Sequence, residues 1–332
     1  MNAQSIEDAI IELKGIGARR IMLQIPDGLK PEVFNIFGQF STEFDVVISG
    51  EPFYGACDLG NFSMEKNIDA VVQFGHSVMP NVVYPVPVIF LEWKLSRKID
   101  FSQVSLEQID SKGYRKIGLL CSIQYCDQMD SFVEMMKKKG YTIFIGNVDR
   151  RMSRPGQVLG CNFSAAHSVS SNVDCFIVVS TGVFHSIGVQ LSTDRETFLL
   201  DLNSMTLRSM KSEAETFLRK RYARIEKALD ARKFCVAMNT KVGQRRDRLA
   251  LLIQKKLTEL GKESVMVTTD NVVPSDFVNM RCDAVIFTGC PRVSLDDQEK
   301  FPMPVLTPPE FLRLFGFKQD DRYIMDEIVS VS

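Results

Sequence analysis

The chain has 332 residues, 45% apolar and 24% charged, with a formal net charge of −1. That is globular composition, long enough for two or three domains, and it lacks the basic excess that direct nucleic-acid or anionic-membrane binding requires. The most apolar stretches, such as residues 82–90, are broken by proline and too short to span a bilayer, and the polar, acidic N-terminus does not read as a signal peptide. The expectation is a cytoplasmic protein whose eight cysteines stay reduced.

In chain order the sequence repeats one α/β plan three times. The first unit opens with a strand over 20–25 and turns at Pro26-Asp27-Gly28 into a helix through Phe37. Strands follow over 46–49, 70–74 and 86–91. The second unit has a strand over 116–121 and a helix over 129–138 stopped by Lys139-Gly140. Strands over 141–145 and 175–180 complete it. A charged helix over 206–230 is predicted to link units two and three, with Leu207, Met210, Ala214, Phe217, Leu218 and Ile225 on its packing face. The third unit has a strand over 234–238, a helix over 246–260 and strands over 264–268 and 284–288. The predicted fold class is α/β. Three related Rossmann-like domains with parallel sheets, over 1–105, 106–205 and 206–332, turn their C-terminal strand ends toward a central site.

Four cysteines, Cys121, Cys175, Cys235 and Cys282, lie in or beside apolar strands and read as small hydrophobes. Cys121 and Cys126 are spaced C-x4-C, but no C-x2-C pair exists, which argues against a plant-type ferredoxin, a zinc ribbon or thioredoxin-like chemistry. Cys57, Cys161 and Cys290 remain, each in a glycine-adjacent loop in a different third of the chain. They suit one iron–sulfur cluster with its fourth iron open, or they are three ordinary loop thiols. His76 and His185 follow third-strand runs and either contact a ligand or close a strand end; His167 reads as structural. Gly15-Ile16-Gly17 precedes its strand, so it reads as a helix stop rather than a nucleotide loop, and Lys220-Arg221 reads as solvated charge.

The words around the three cysteines are specific. Phe53-Tyr54-Gly55-Ala56-Cys57-Asp58 resembles the first cysteine motif of the archaeal diphthamide biosynthesis enzymes, the 2-(3-amino-3-carboxypropyl)histidine synthases. The second motif is matched by the run from Pro155 to Ser164, which contains Leu159-Gly160-Cys161-Asn162-Phe163. The third is matched by Thr288-Gly289-Cys290-Pro291-Arg292 with Asp296-Asp297. Gly75-His76-Ser77, Phe184-His185-Ser186 and Thr240-Lys241-Val242-Gly243-Gln244-Arg245 also match. The resemblance implies a homodimeric transferase with a [4Fe–4S] cluster on Cys57, Cys161 and Cys290. The cluster would cleave S-adenosylmethionine to a 3-amino-3-carboxypropyl radical, which adds to C2 of a histidine on translation elongation factor 2. An external electron donor is implied. On this reading Gln244 and Arg245 would bind the methionyl carboxylate at a helix start, and Lys241, Gly243, His76 and His185 are further candidates for holding the cofactor. Where family members often carry His after Gln, this chain has Gln124-Tyr125-Cys126. The competing readings are a quinolinate-synthase-like dehydratase using the open iron as a Lewis acid, a scaffold with incidental cysteines, and a silent partner subunit.

Overall fold

The computed structural model describes residues 2–3, 5–59, 67–92, 98–318 and 322–330. In the first unit, β1 (Asn2–Ala3) and α1 (Ile6–Gly15) precede β2 (Arg20–Gln24), α2 (Val33–Phe40), β3 (Asp45–Ile48), β4 (Ala70–Phe74) and β5 (Val88–Leu91). A short helix α3 (Glu107–Asp110) leads into β6 (Lys116–Cys121), α4 (Met129–Lys138), β7 (Thr142–Phe144), α5 (Ser164–Val169), β8 (Cys175–Val179), α6 (Phe184–Ser192), β9 (Glu196–Asp201) and β10 (Thr206–Ser209). Helix α7 (Lys211–Glu226) crosses to β11 (Lys233–Asn239), α8 (Asp247–Glu259), β12 (Glu263–Thr269), α9 (Pro274–Asn279), β13 (Ala284–Phe287), α10 (Pro291–Leu295), β14 (Val305–Leu306) and α11 (Pro308–Leu314).

The three sheets run β1-β5-β4-β2-β3, β10-β9-β8-β6-β7 and β12-β11-β13-β14. Stripped of their edge additions, all three follow one order: the opening strand is central, the second lies on one side of it, and the third and fourth lie on the other. The third strands β4, β8 and β13 are buried along their whole length, as parallel strands covered on both faces must be.

A carboxylate marks the same corner in each unit. Asp69, Asp174 and Asp283 stand just before β4, β8 and β13. Each takes two backbone N–H groups where the opening strand begins: Arg19 and Arg20, Arg115 and Lys116, Arg232 and Lys233. Those hydrogen bonds hold each carboxyl below its ordinary pKa. The corner recurs in sequence as Asp-Ala-Val, Asp-Cys-Phe and Asp-Ala-Val.

Several expectations need correction. The stretch predicted as one helix over 206–230 begins as β10, antiparallel to β9, because Asp201 accepts the Asn203 and Ser204 N–H groups and turns the chain back into a hairpin. Leu207 therefore packs from a strand, and the second sheet is not wholly parallel. Arg221 is not solvated: it is 2% exposed, on the face of α7 turned to α11, and its guanidinium meets Glu310 at 2.6 Å. The cysteines are not all free. Cys235 on β11 and Cys282, just before β13, form a disulfide, their Cα atoms 5.9 Å apart, within the span such a bond requires. The helix stop holds: α1 ends with Gly17 at φ 71°, a left-handed position glycine adopts without penalty. No helix among the described residues is long and apolar enough to cross a membrane.

One apolar core is continuous from the second sheet into the third, joining Phe163 and Phe176 to Phe234, Ile253 and Phe311. A smaller one lies beneath Cys57 and takes Leu159 from the second unit. The loops carrying Cys57 and Cys161 thus rest on shared packing.

Candidate functional site

The loop after β3 is fixed before it reaches its cysteine. Gln24 and Gln73, neighbours on β2 and β4, are both buried. Their side-chain amides donate to the Leu59 and Asp58 carbonyls, and Gln73 also donates to Gln24. The Tyr84 hydroxyl donates to the Ala56 carbonyl at 3.1 Å. The third unit then closes over this loop. Lys241 Nζ meets the fully buried Asp58 carboxylate at 2.8 Å, and Gly243 N–H donates to the Cys57 carbonyl at 2.9 Å. Gln244 Nε2 donates to Cys57 Sγ at 3.3 Å. A methyl group at position 243 would come within 2.5 Å of the Cys57 Cα and Cβ, so glycine is what permits this approach.

Cys161 sits in the turn before α5. Its carbonyl accepts the Ile328 N–H at 2.8 Å, and Asn162 Nδ2 donates to Asp149 and to the Ile328 carbonyl. Glu327 takes the Phe163 N–H and pairs with His167 at 2.8 Å, so the C-terminal segment straps this turn and His167 has the structural role expected of it. Gly160 leaves room for the Phe184 ring and the Arg292 side chain, whose guanidinium stacks 4.8 Å from that ring. Cys290 leaves β13 through Thr288 and Gly289. Arg246 holds both of their carbonyls, at 2.6 and 3.0 Å, while its guanidinium forks onto Asp326.

Three loops from three sheets thereby bring three thiols into mutual electrostatic reach. Burial, with Cys161 adding to it, pushes the Cys57 thiol up to about 11. Burial raises Cys290 as well, with Cys161 and Cys57 adding to the effect. Cys161 is raised by burial, opposed by the positive charge of the Arg151 guanidinium. Three neighbouring, half-buried thiols resist ionising together, whereas bound iron would supply the positive charge that makes them thiolates. Among the described residues no three His, Cys, Asp or Glu side chains converge tightly enough for a single metal ion. In a four-iron cluster each thiolate meets a different iron, so the donors stand apart. Three thiols are a donor set that could hold a four-iron cluster with one iron left open.

A cavity of about 380 Å3 opens between units one and three. Cys57, Lys241, Gln244 and Cys290 form one part of its wall, and Arg292 with Asp296 forms another. Other sequence candidates lie elsewhere. Arg245 points to solvent, 63% exposed, and forks onto Asp247. His76 packs edge-on to Phe53 with Nδ1 buried and unpartnered, and His185 lies beside Phe184. Burial lowers both imidazoles to about 4, so both are neutral, and neither lines the cavity. Tyr125 is buried, and Cys126 Sγ lies 2.8 Å from Cys121 Sγ. Sequence reasoning missed Arg151, Arg246 and Asp326. Isolated basic and acidic residues in loops carry no periodic signal, and only folding brings them to the cysteines.

The chain matches the family described as "Putative diphthamide synthesis protein" over residues 25–324. It is 33% identical to the 2-(3-amino-3-carboxypropyl)histidine synthase of Pyrococcus horikoshii, over 96% of this chain and 91% of that one. It is 26% identical to the synthase of the same name from Methanocaldococcus jannaschii, over 93% and 87% of the two chains. The crystal structure of Dph2 from Pyrococcus horikoshii with a 4Fe-4S cluster superposes with a TM-score of 0.88 at 32% identity, covering 97% of this chain and 93% of that one.

Proposed function

The chain belongs to the diphthamide synthesis family, and we propose that it transfers a 3-amino-3-carboxypropyl group from S-adenosylmethionine to C2 of a histidine on translation elongation factor 2. It is an enzyme, a transferase, as its relatives are. The observation that carries the proposal is the convergence of three cysteine loops from three sheets: Cys57 and Cys290 line one cavity, and Gly160, next to Cys161, packs against Arg292, which lines it too. Those thiols would hold a [4Fe–4S] cluster, in keeping with the one named for the structural neighbour. When bound, the cluster supplies an electron that breaks the Cγ–S bond of the sulfonium, leaving methylthioadenosine and the aminocarboxypropyl radical.

The chain's own residues divide the remaining work. Gly243 and Gln244 set the position of Cys57, with Gln244 donating to its sulfur. Lys241 pairs with Asp58 and ties unit three to the Cys57 loop while also lining the cavity. Arg246 and Asp326 fix the peptide leading to Cys290. Gln244 and Arg292 line the cavity and replace Arg245 as the proposed partners of the methionyl carboxylate. His76 packs on Phe53 and His185 on Phe184, each beside a loop of the site. The reading carries with it a homodimer, an external electron donor, elongation factor 2 as protein substrate and a cytoplasmic setting.

The test is anaerobic reconstitution with iron and sulfide, reduction with dithionite, addition of S-adenosylmethionine and chromatography of the nucleosides. Methylthioadenosine that disappears in Cys57→Ala, Cys161→Ala and Cys290→Ala is the expected result. 5′-Deoxyadenosine in its place, or a bound cluster with no cleavage, would overturn the proposed chemistry.

A further inference from the structure

We propose that Arg151 is a positioning residue that supplies the fixed positive charge for the three-thiolate site and sets the reduction potential of the cluster held there. The inference rests on the cluster reading above and goes beyond it by naming what balances the thiolate charge within the protein. Arg151 stands in the loop between β7 and Cys161 and is 3% exposed. A guanidinium so buried is costly unless an anion compensates it. The other deeply buried cations have carboxylates: Lys241 has Asp58 and Arg221 has Glu310. Among the described residues Arg151 makes no such ion pair.

Its neighbours point to the thiols instead. Nη2 donates to the Gly243 carbonyl at 3.0 Å, and the Gly243 N–H in turn holds the Cys57 carbonyl at 2.9 Å. Gly243 packs so closely on Cys57 that a methyl there would lie 2.5 Å from the Cys57 Cα and Cβ, so the hydrogen bond to its carbonyl seats the guanidinium beside the Cys57 loop. Its Nε is buried without a partner. The nearby Asp149 is engaged by other groups. One of its oxygens takes the Arg151 backbone N–H, and the other takes Asn162 and Ser330. Arg151 therefore spans units two and three beside the Cys57 loop, and thiolates there would give it the anionic partner that no carboxylate among the described residues provides. Reduction adds one negative charge to a cluster, and a fixed positive charge in a low-dielectric setting favours that reduced form.

The experiment compares full-length wild type, Arg151→Gln and Arg151→Lys after the same anaerobic reconstitution. Iron and sulfide are assayed, and the midpoint is measured by potentiometric titration followed by electron paramagnetic resonance. Arg151→Gln is expected to move the midpoint to more negative potential, with the reduced-to-oxidised ratio at the wild-type midpoint falling about tenfold, a shift of about 59 mV for one electron. Arg151→Lys, which keeps the charge without the fork, is expected to stay close to wild type. Iron retained by Arg151→Lys but lost by Arg151→Gln also supports the proposal. An unchanged midpoint in Arg151→Gln, or equal loss of iron in both variants, would overturn it, the latter by showing a merely geometric tie. Wild type that binds no iron would instead fail the cluster reading itself.

Discussion

Gly243→Ala isolates the contact that joins the third unit to Cys57. The added methyl would sit 2.5 Å from the Cys57 Cα and Cβ and 3.2 Å from its carbonyl oxygen. Carbon atoms rest about 3.5–4.0 Å apart, so the two backbones must separate by about 1 Å. Both partners are backbone or Cβ, and neither can swing aside as a long side chain would. The displacement is several times the roughly 0.2 Å tolerance of a metal–ligand bond, and overpacking of this kind costs about 1–3 kcal/mol. The expected outcome is a folded protein, slightly lower in Tm, that binds well under half the wild-type iron after anaerobic reconstitution. Gly50→Ala, where nothing lies within 4 Å of the new methyl, is the control and should bind iron as wild type does. Full iron in Gly243→Ala, with Tm unchanged, would refute the claim that this backbone approach positions Cys57.

Two further predictions follow from the scaffold. Arg221→Ala strips the partner from the buried Glu310, which also accepts from Tyr323 at 2.6 Å, and should cost about 3–5 kcal/mol in urea denaturation. A loss below about 1 kcal/mol would mean the pair behaves as a solvated one. The His167–Glu327 pair makes the C-terminal strap pH-sensitive. Glu327 raises the His167 pKa, so the stabilisation is full below the ordinary histidine value of about 6.5 and is lost as pH rises through the higher folded value. Amide-exchange protection over residues 323–330 should therefore decline with rising pH above about 6.5, and Glu327→Gln should flatten that decline. A wild-type profile as flat as the variant's would sink the assignment.

Hydrophobic runs determined most of the framework from sequence alone. Strands β2, β4, β6, β8, β11 and β13 and helices α4 and α8 lie where period and length placed them, because a buried parallel strand must be apolar throughout and an amphipathic helix must repeat its apolar face. The cysteine words were legible too, because a glycine beside a cysteine in a loop leaves a local mark. The edge strand β10 was not legible. Thr206–Ser209 is short and half polar, and its pairing depends on where Asp201 turns the chain. Nor was the contrast between Arg245 and Arg246. The two adjacent arginines are indistinguishable in sequence, and only the direction in which α8 leaves β11 sends one to solvent and the other to the Thr288 and Gly289 carbonyls. The same holds for Lys241, whose pairing with Asp58 no local pattern announces, and for Arg151, which had no motif at all. Local chemistry decided which elements form. Long-range packing decided which charges are buried together, because a charge's partner is fixed by the fold and not by its neighbours in the chain.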